Sequence, residues 1–281
     1  MAGDAGNTGG NSERGYALGY TSSEQDRLIR QAARINPIVE RLFREGGIGP
    51  GQRVLDLGSG VGDVSMVLAR LVGPTGEVVG FERDGSSIAV AQRRVAEAGF
   101  RNVSFIQTDA SEIDAEKPFD AAVGRFILMF LPDPKAVLKN LARLVRPGGV
   151  LAFQEPSWLP FVAFASPLPL WSSVVSSVAE TFRRSGVNLE MGPELYGLFQ
   201  EIGLPAPEVF LEMPVGSDAD FTRVIPEVLG SLRPLAVRHA VELEGLGDPA
   251  TLAGRVQAEI EAAQALVSWM ALVGAWVRKP R

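Results

Sequence analysis

At 281 residues, with 46% of them hydrophobic, the chain is long enough to bury one large core with a substantial cap. A formal charge of -6 and a pI near 5.1 give no general attraction to nucleic acid or to an anionic membrane, so a small-molecule partner is the default. The absence of cysteine excludes a disulfide framework, a thiolate metal site and a cysteine nucleophile; no metal is expected.

Residues 1 to 15 are glycine-rich and polar, and are read as a disordered tail. Tyr16, Leu18 and Tyr20 follow, then Thr21 or Ser22 as a helix cap ahead of Glu24, at capping-box spacing. The amphipathic helix beyond, carrying Leu28, Ile35, Val39, Leu42 and Phe43, makes residues 16 to 50 a lid segment over a ligand mouth. No apolar run is long enough to span a bilayer, and the amino terminus lacks a signal-peptide pattern. A soluble cytoplasmic protein is expected, either monomer or homodimer.

The organising stretch runs from Arg53 to Asp84. Val54 to Leu57 reads as a buried parallel strand, and Gly58, Ser59, Gly60 and Gly62 follow as a turn on which a ligand can lie against bare backbone. A helix from Asp63 to Leu71 stops at Gly73-Pro74, and Glu77 to Phe81 forms the next strand. Glu82 stands at its carboxyl end, about 20 residues past the glycine turn, where an acid is placed to hydrogen-bond ribose hydroxyls. A helix over 86–98, a strand over 102–107, a strand over 119–126 ending at Arg125 and continued by an apolar segment to Leu131, a helix from Pro134 to Val145 and a strand over 150–154 complete residues 51 to 156. Five alternations of strand and helix imply a doubly wound α/β sheet of Rossmann-like type, with right-handed crossovers.

Beyond Pro156 the pattern changes. Residues 157 to 191 are rich in Trp, Phe, Pro and Ser, and are expected to cap a substrate pocket with a helix over 170–184. Residues 192 to 281 are read as completing the sheet, with strands over 209–215 and 269–277 and helices between them.

Five pieces in order, VLDLGSGVGD (54–63), GFERD (80–84), FIQTDA (105–110), FDAAVGRFILMFLPDP (119–134) and LARLVRPGGVLAFQEP (141–156), resemble the class I S-adenosylmethionine-dependent methyltransferases, particularly the bacterial small-molecule branch. The resemblance implies a seven-stranded sheet with helical lid and cap insertions, and S-adenosylmethionine as cofactor. It implies that Asp56, Gly58, Ser59 and Gly60 accommodate the methionine portion, Glu82 the ribose, and Asp109 with Ala110 the adenine, with Arg83 flanking that base. Arg125 is implied at the amino-acid end, and Tyr16 and Tyr20 are lid residues placed to cover the sulfonium.

A nicotinamide-dependent oxidoreductase and a non-catalytic cofactor-binding regulator stay open as alternatives. Asp56 favours the sulfonium cofactor, since a carboxylate there suits ammonium and sulfonium charges and repels a pyrophosphate. The spacing G-x-G-x-G, rather than G-x-G-x-x-G, points the same way. The acceptor is expected to be a small apolar or aromatic metabolite of specialised metabolism, methylated on O, N or C. Where the acceptor atom carries a proton, a general base helps; Glu155, at the end of the fifth strand, and His239, the sole histidine, are the two candidates.

Overall fold

The computed structural model describes Leu18, Gly19, residues 21–165 and residues 167–281. The tail and the two tyrosines, Tyr16 and Tyr20, lie outside the described residues. Thr21 caps α1 (Ser22–Glu45), its hydroxyl accepting from the Glu24 amide at 3.3 Å. The chain then alternates through β1 (Arg53–Leu57), α2 (Asp63–Val72), β2 (Glu77–Glu82), α3 (Gly85–Glu97), β3 (Val103–Gln107), β4 (Phe119–Arg125), α4 (Pro134–Leu144) and β5 (Val145–Ser157). Next come α5 (Leu159–Ala165), α6 (Pro169–Arg184), α7 (Met191–Glu201), β6 (Glu208–Glu212), β7 (Val215–Gly216), α8 (Ala219–Thr222), α9 (Val224–Arg238), α10 (Pro249–Ala262), β8 (Val267–Ser268) and β9 (Ala271–Arg278).

The seven-stranded sheet runs in the order β3-β2-β1-β4-β5-β9-β6. The first five strands in chain order are parallel, as their alternation with helices dictates. The last strand enters antiparallel between β5 and β6. The order reverses between β1 and β4, and a doubly wound sheet opens its ligand crevice at the carboxyl ends beside such a switch point.

The two-residue pleat sorts the strand residues between two cores. Val54, Val78, Val123 and Ala152 pack with Val39, Leu42 and Phe43 of α1 and with α2. Leu55, Leu57, Phe81, Phe119 and Phe153 pack on the opposite side with α4 and α7. A third cluster joins α6, α9 and α10, and contains Trp158, Phe161, Trp171 and Phe182 in edge-to-face contacts. Phe161 and Trp171 are fully buried there, so much of the aromatic content expected to line a pocket serves as core.

Two expected elements differ. The apolar segment after Arg125 does not prolong β4; it turns through a short 3-10 helix at Leu128–Phe130, because Phe126 takes a left-handed φ of 53°. The strand expected over 209–215 breaks after Glu212, and Val215 and Gly216 pair instead with Val267 and Ser268 in a separate ribbon.

Candidate functional site

The turns after β1, β2, β3 and β4 converge on a cavity of about 920 Å³, roofed by α1, the carboxyl end of α6 and one face of α9. Its sheet-side wall includes Gly58, Ser59, Gly60, Glu82, Arg83, Asp109, Ala110 and Arg125, so eight of the residues singled out in the sequence meet around one space.

The glycine turn is held by backbone. Gly58 and Ser59 donate to the Phe81 carbonyl at 2.9 and 3.1 Å, and Gly62 donates to the Ser59 carbonyl at 2.8 Å. Gly58 has φ +66°, and a Cβ there would stand 2.7 Å from Ile127 Cδ1. Gly58→Ala therefore meets both an unfavourable backbone region and a contact that Ile127 must yield to. We expect it to cost about 2 kcal/mol, read as a fall in melting temperature of roughly 5 °C.

Glu82 links the turn to the second strand. One carboxylate oxygen accepts the Gly60 amide at 3.0 Å, and the other accepts the amides of Arg83 and Asp84 at 2.9 and 3.0 Å. Three N–H groups thus fix the carboxylate's direction while leaving acceptor capacity for a ligand. Asp109 accepts the Ser111 amide and hydroxyl at 2.9 and 2.6 Å, bonds that hold its carboxyl below the usual range. Arg125 extends to α1, donating to Asn36 Oδ1 at 2.8 Å; burial lowers its pKa, countered by the carboxylates of Asp63 and Asp56.

Asp56 and Glu155 are placed away from the cavity wall, and the pleat explains both. Asp56 shares the face of Val54, so its side chain turns to α2 and accepts the Ser65 hydroxyl at 2.5 Å; burial pushes its carboxyl up to about 7. It stands behind the glycine turn rather than beside a ligand in the cavity, which corrects the direct charge contact expected of it.

Glu155 shares the face of Phe153 and is wholly buried. Its oxygens accept the backbone amides of Ile127, Leu128 and Met129 at 3.0, 2.9 and 3.3 Å, while burial pushes the carboxyl up to about 7. Buried, off the cavity wall and holding three amides of the loop after β4, Glu155 is placed as an anchor for that loop rather than where a substrate would reach it. His239, by contrast, borders the cavity just past the end of α9.

Sequence reasoning passed over several wall residues. Asp63 receives Arg94 at 2.7 Å, and Arg94 also donates to the Val61 carbonyl, bracing the turn from α3. On α1, buried Glu24 accepts Arg27 through both oxygens at 2.6 and 2.8 Å and also the Ser231 hydroxyl at 2.8 Å. Arg27 donates further to Gln31, so a paired polar seam joins α1 to α9 inside the roof. Glu24 was legible only as a cap residue, because its partner Ser231 lies 207 positions away.

The wall suits a nucleoside carrying an amino-acid tail. Bare backbone at Gly60 leaves room for close approach, carboxylates at Glu82 and Asp109 offer acceptors for hydroxyl and amino groups, and the buried Ser59 hydroxyl has no partner among the described residues. No helix among those residues is long and apolar enough to cross a membrane.

Residues 48–200, more than half the chain, match the family model described as a methyltransferase domain. The chain is similar to the ubiquinone/menaquinone biosynthesis C-methyltransferase UbiE of Pseudomonas aeruginosa, at 33% identity over 158 residues covering 53% of this chain and 62% of that protein. It therefore spans about three fifths of the length of the first curated relatives it matches. Two solved structures share the fold. One is a SAM-dependent methyltransferase from Geobacter sulfurreducens in complex with S-adenosyl-L-homocysteine, with TM-score 0.52 and 22% identity over 87% of this chain and 90% of that one. The other is the [4+2]-cyclase SpnF, with TM-score 0.53 and 20% identity over 87% and 80%.

Proposed function

The chain belongs to the methyltransferase-domain family, whose cofactor is S-adenosylmethionine, and from that premise we propose that it methylates a small apolar or aromatic metabolite by in-line displacement. The observation that carries the reading is the pairing of an open glycine turn with Glu82, whose carboxylate is aimed by three backbone amides into a cavity that extends well past it. The nicotinamide alternative loses its footing with the family match.

In this reading Glu82 holds the ribose hydroxyls, Asp109 and Ala110 the adenine edge with Arg83 beside it, and Gly58, Ser59 and Gly60 the methionine portion. Arg125, tied to Asn36, meets the carboxylate of that portion. The bound cofactor supplies a methyl group already activated on a sulfonium, so the protein's task is to hold a nucleophile in line and exclude water. The α1 and α9 roof serves the second purpose. Leu28, Ile35, Val228, Leu235, Trp158 and Met270 supply an apolar lining around the remaining space, which supports an apolar acceptor.

Because the same fold also carries a cyclase, the reaction has to be tested at the site. Calorimetric titration with S-adenosylhomocysteine should show one site, and transfer of a labelled methyl to a panel of phenols, quinols and aromatic amines should identify an acceptor. Binding without transfer to any of them would support the non-catalytic alternative. Absence of binding would remove the whole reading.

Of the two base candidates only His239 borders the cavity, just past the end of α9, so it can act as a base only for an acceptor atom presented at that end. His239→Asn should then lower kcat roughly tenfold or more with S-adenosylhomocysteine affinity unchanged. An unaltered kcat would relieve His239 of that role.

A further inference from the structure

The two sides of the cavity differ in charge. Its sheet-side wall carries three acids, Asp63, Glu82 and Asp109, beside two arginines, Arg83 and Arg125. The roof carries Glu24, Arg27, Arg184 and Arg238. Three of these four charged roof groups are already hydrogen-bonded within the protein. Glu24 and Arg27 neutralise one another. Arg184 gives its Nε to Glu180 at 2.5 Å and donates from one Nη to the carbonyls of His239 and Ala240 at 2.8 and 2.9 Å.

The last bonds matter for the fourth charge. The carbonyl end of a helix is its negative pole and disfavours an anion nearby. Arg184 satisfies two carbonyls just past the end of α9, and so offsets that pole. Arg238, on the last turn of α9, remains with no ion pair or hydrogen bond from its guanidinium to any described residue.

The position of Arg238 along the roof is set by how α1 and α9 pair. Glu24 meets Ser231, Arg30 meets Glu227 at 2.8 Å, and Arg34 meets Asp218, which precedes α9, at 2.6 Å. Numbers rise on one helix as they fall on the other, so the two run antiparallel. Asn36, which follows Arg34 on α1 and so lies further still from Glu24, is the partner of Arg125. Arg238 therefore lies at the end of α9 remote from Arg125. Wall residues recur along α9 at Ile225, Val228, Ser231, Leu235 and Arg238, a helical face about 20 Å long at 1.5 Å per residue.

We propose that this half of the cavity takes an elongated apolar molecule that ends in an anionic group, a carboxylate or a phosphate, and that Arg238 binds that group at the mouth. The apolar face of α9 receives the body of the molecule. An exposed guanidinium at the rim keeps the charge in contact with water, where its desolvation cost is small. The inference rests on the methyltransferase reading for what occupies the other half, but its chemistry can be read without turnover.

The test uses the full chain saturated with S-adenosylhomocysteine and two fluorescent probes of the same aromatic body, 8-anilinonaphthalene-1-sulfonate and the neutral N-phenyl-1-naphthylamine. Arg238→Gln should weaken the sulfonate probe about tenfold and leave the neutral probe within twofold. Arg233→Gln, an exposed arginine on α9 that does not border the cavity, should change neither and so controls for net charge. Decanoate or decyl phosphate should then displace the sulfonate probe from wild type at lower concentration than decanol, and the better of the two names the head group.

An Arg238→Gln protein that binds the sulfonate probe as wild type does, or weakens both probes alike, overturns the proposal. Decanol displacing the probe as well as both anions overturns it too. Titration of wild type and Arg238→Gln with S-adenosylhomocysteine separates the two readings. Equal binding is expected, and loss of it in both proteins, with discrimination between the probes intact, would sink the cofactor reading while leaving the anion site standing.

Discussion

Glu82→Ala is expected to weaken S-adenosylhomocysteine binding about a hundredfold in a calorimetric titration. In the proposed reading Glu82 accepts two hydrogen bonds from ribose hydroxyls, and at about 1.5 kcal/mol or more each they together correspond to roughly two decades in Kd. The alanine also releases the Gly60 amide from its 3.0 Å bond, loosening the turn on which the methionine portion rests. Glu82→Gln separates the two effects. An amide keeps one acceptor oxygen and the side chain's length, so it should restore part of the affinity and leave the melting temperature near wild type. If both variants bind as wild type does, Glu82 is an ordinary strand-end acid and the ribose assignment falls.

Glu155→Ala should produce the largest loss of stability, about 4 kcal/mol, because the amides of Ile127, Leu128 and Met129 lose the one acceptor they have among the described residues. Thermal unfolding should show a drop of roughly 10 °C. The pH dependence carries a second signature. The folded carboxyl holds its proton up to about 7, against an ordinary 4.5 for glutamate. Between those values the folded state binds more protons than the unfolded chain, so this group's contribution to stability is fully present below pH 4.5 and is lost as pH rises towards 7. The change across that window is on the order of 3 kcal/mol.

Glu155→Gln cannot titrate, so its destabilisation relative to wild type should be greatest near pH 4.5 and shrink towards pH 7.5. A kcat that collapses in Glu155→Gln, with a melting curve that does not move at any pH, would instead make Glu155 a base and end its role as anchor.

The anchor also explains how the cavity keeps its floor. Phe126 turns the chain out of β4 with a positive φ, a conformation that costs energy for a bulky side chain and persists only where neighbours enforce it. Glu155 does so by gathering the next three amides, and Ile127, thereby fixed, fills the space that Gly58 leaves open. The glycine turn and the β4 loop are thus braced against each other, so damage to either should reach the cofactor wall.

Much of this molecule was legible from the chain alone. The glycine spacing, the acid at 82, the strand ends at Asp109 and Arg125, and five alternations of strand and helix are local patterns. Parallel strand ends bring such positions together whatever the distant sequence does, and their convergence on one cavity follows from the topology.

What local pattern left open was direction and long-range partnership. The run Val54-Leu55-Asp56-Leu57 is apolar on both faces, so nothing in it says that Asp56 turns to α2 and Ser65 rather than into the crevice. Glu155 reads as a free acid at a strand end until the loop 28 residues earlier folds its amides onto it. The roof was hidden for the same reason. α9 has no motif, and it becomes a wall only because α1 reaches it through Glu24 and Arg30, across 207 and 197 residues. The identity of the binding fold was written in the order of short segments; which charges face the ligand was decided by the pleat and by helix packing, since side-chain direction depends on what lies opposite.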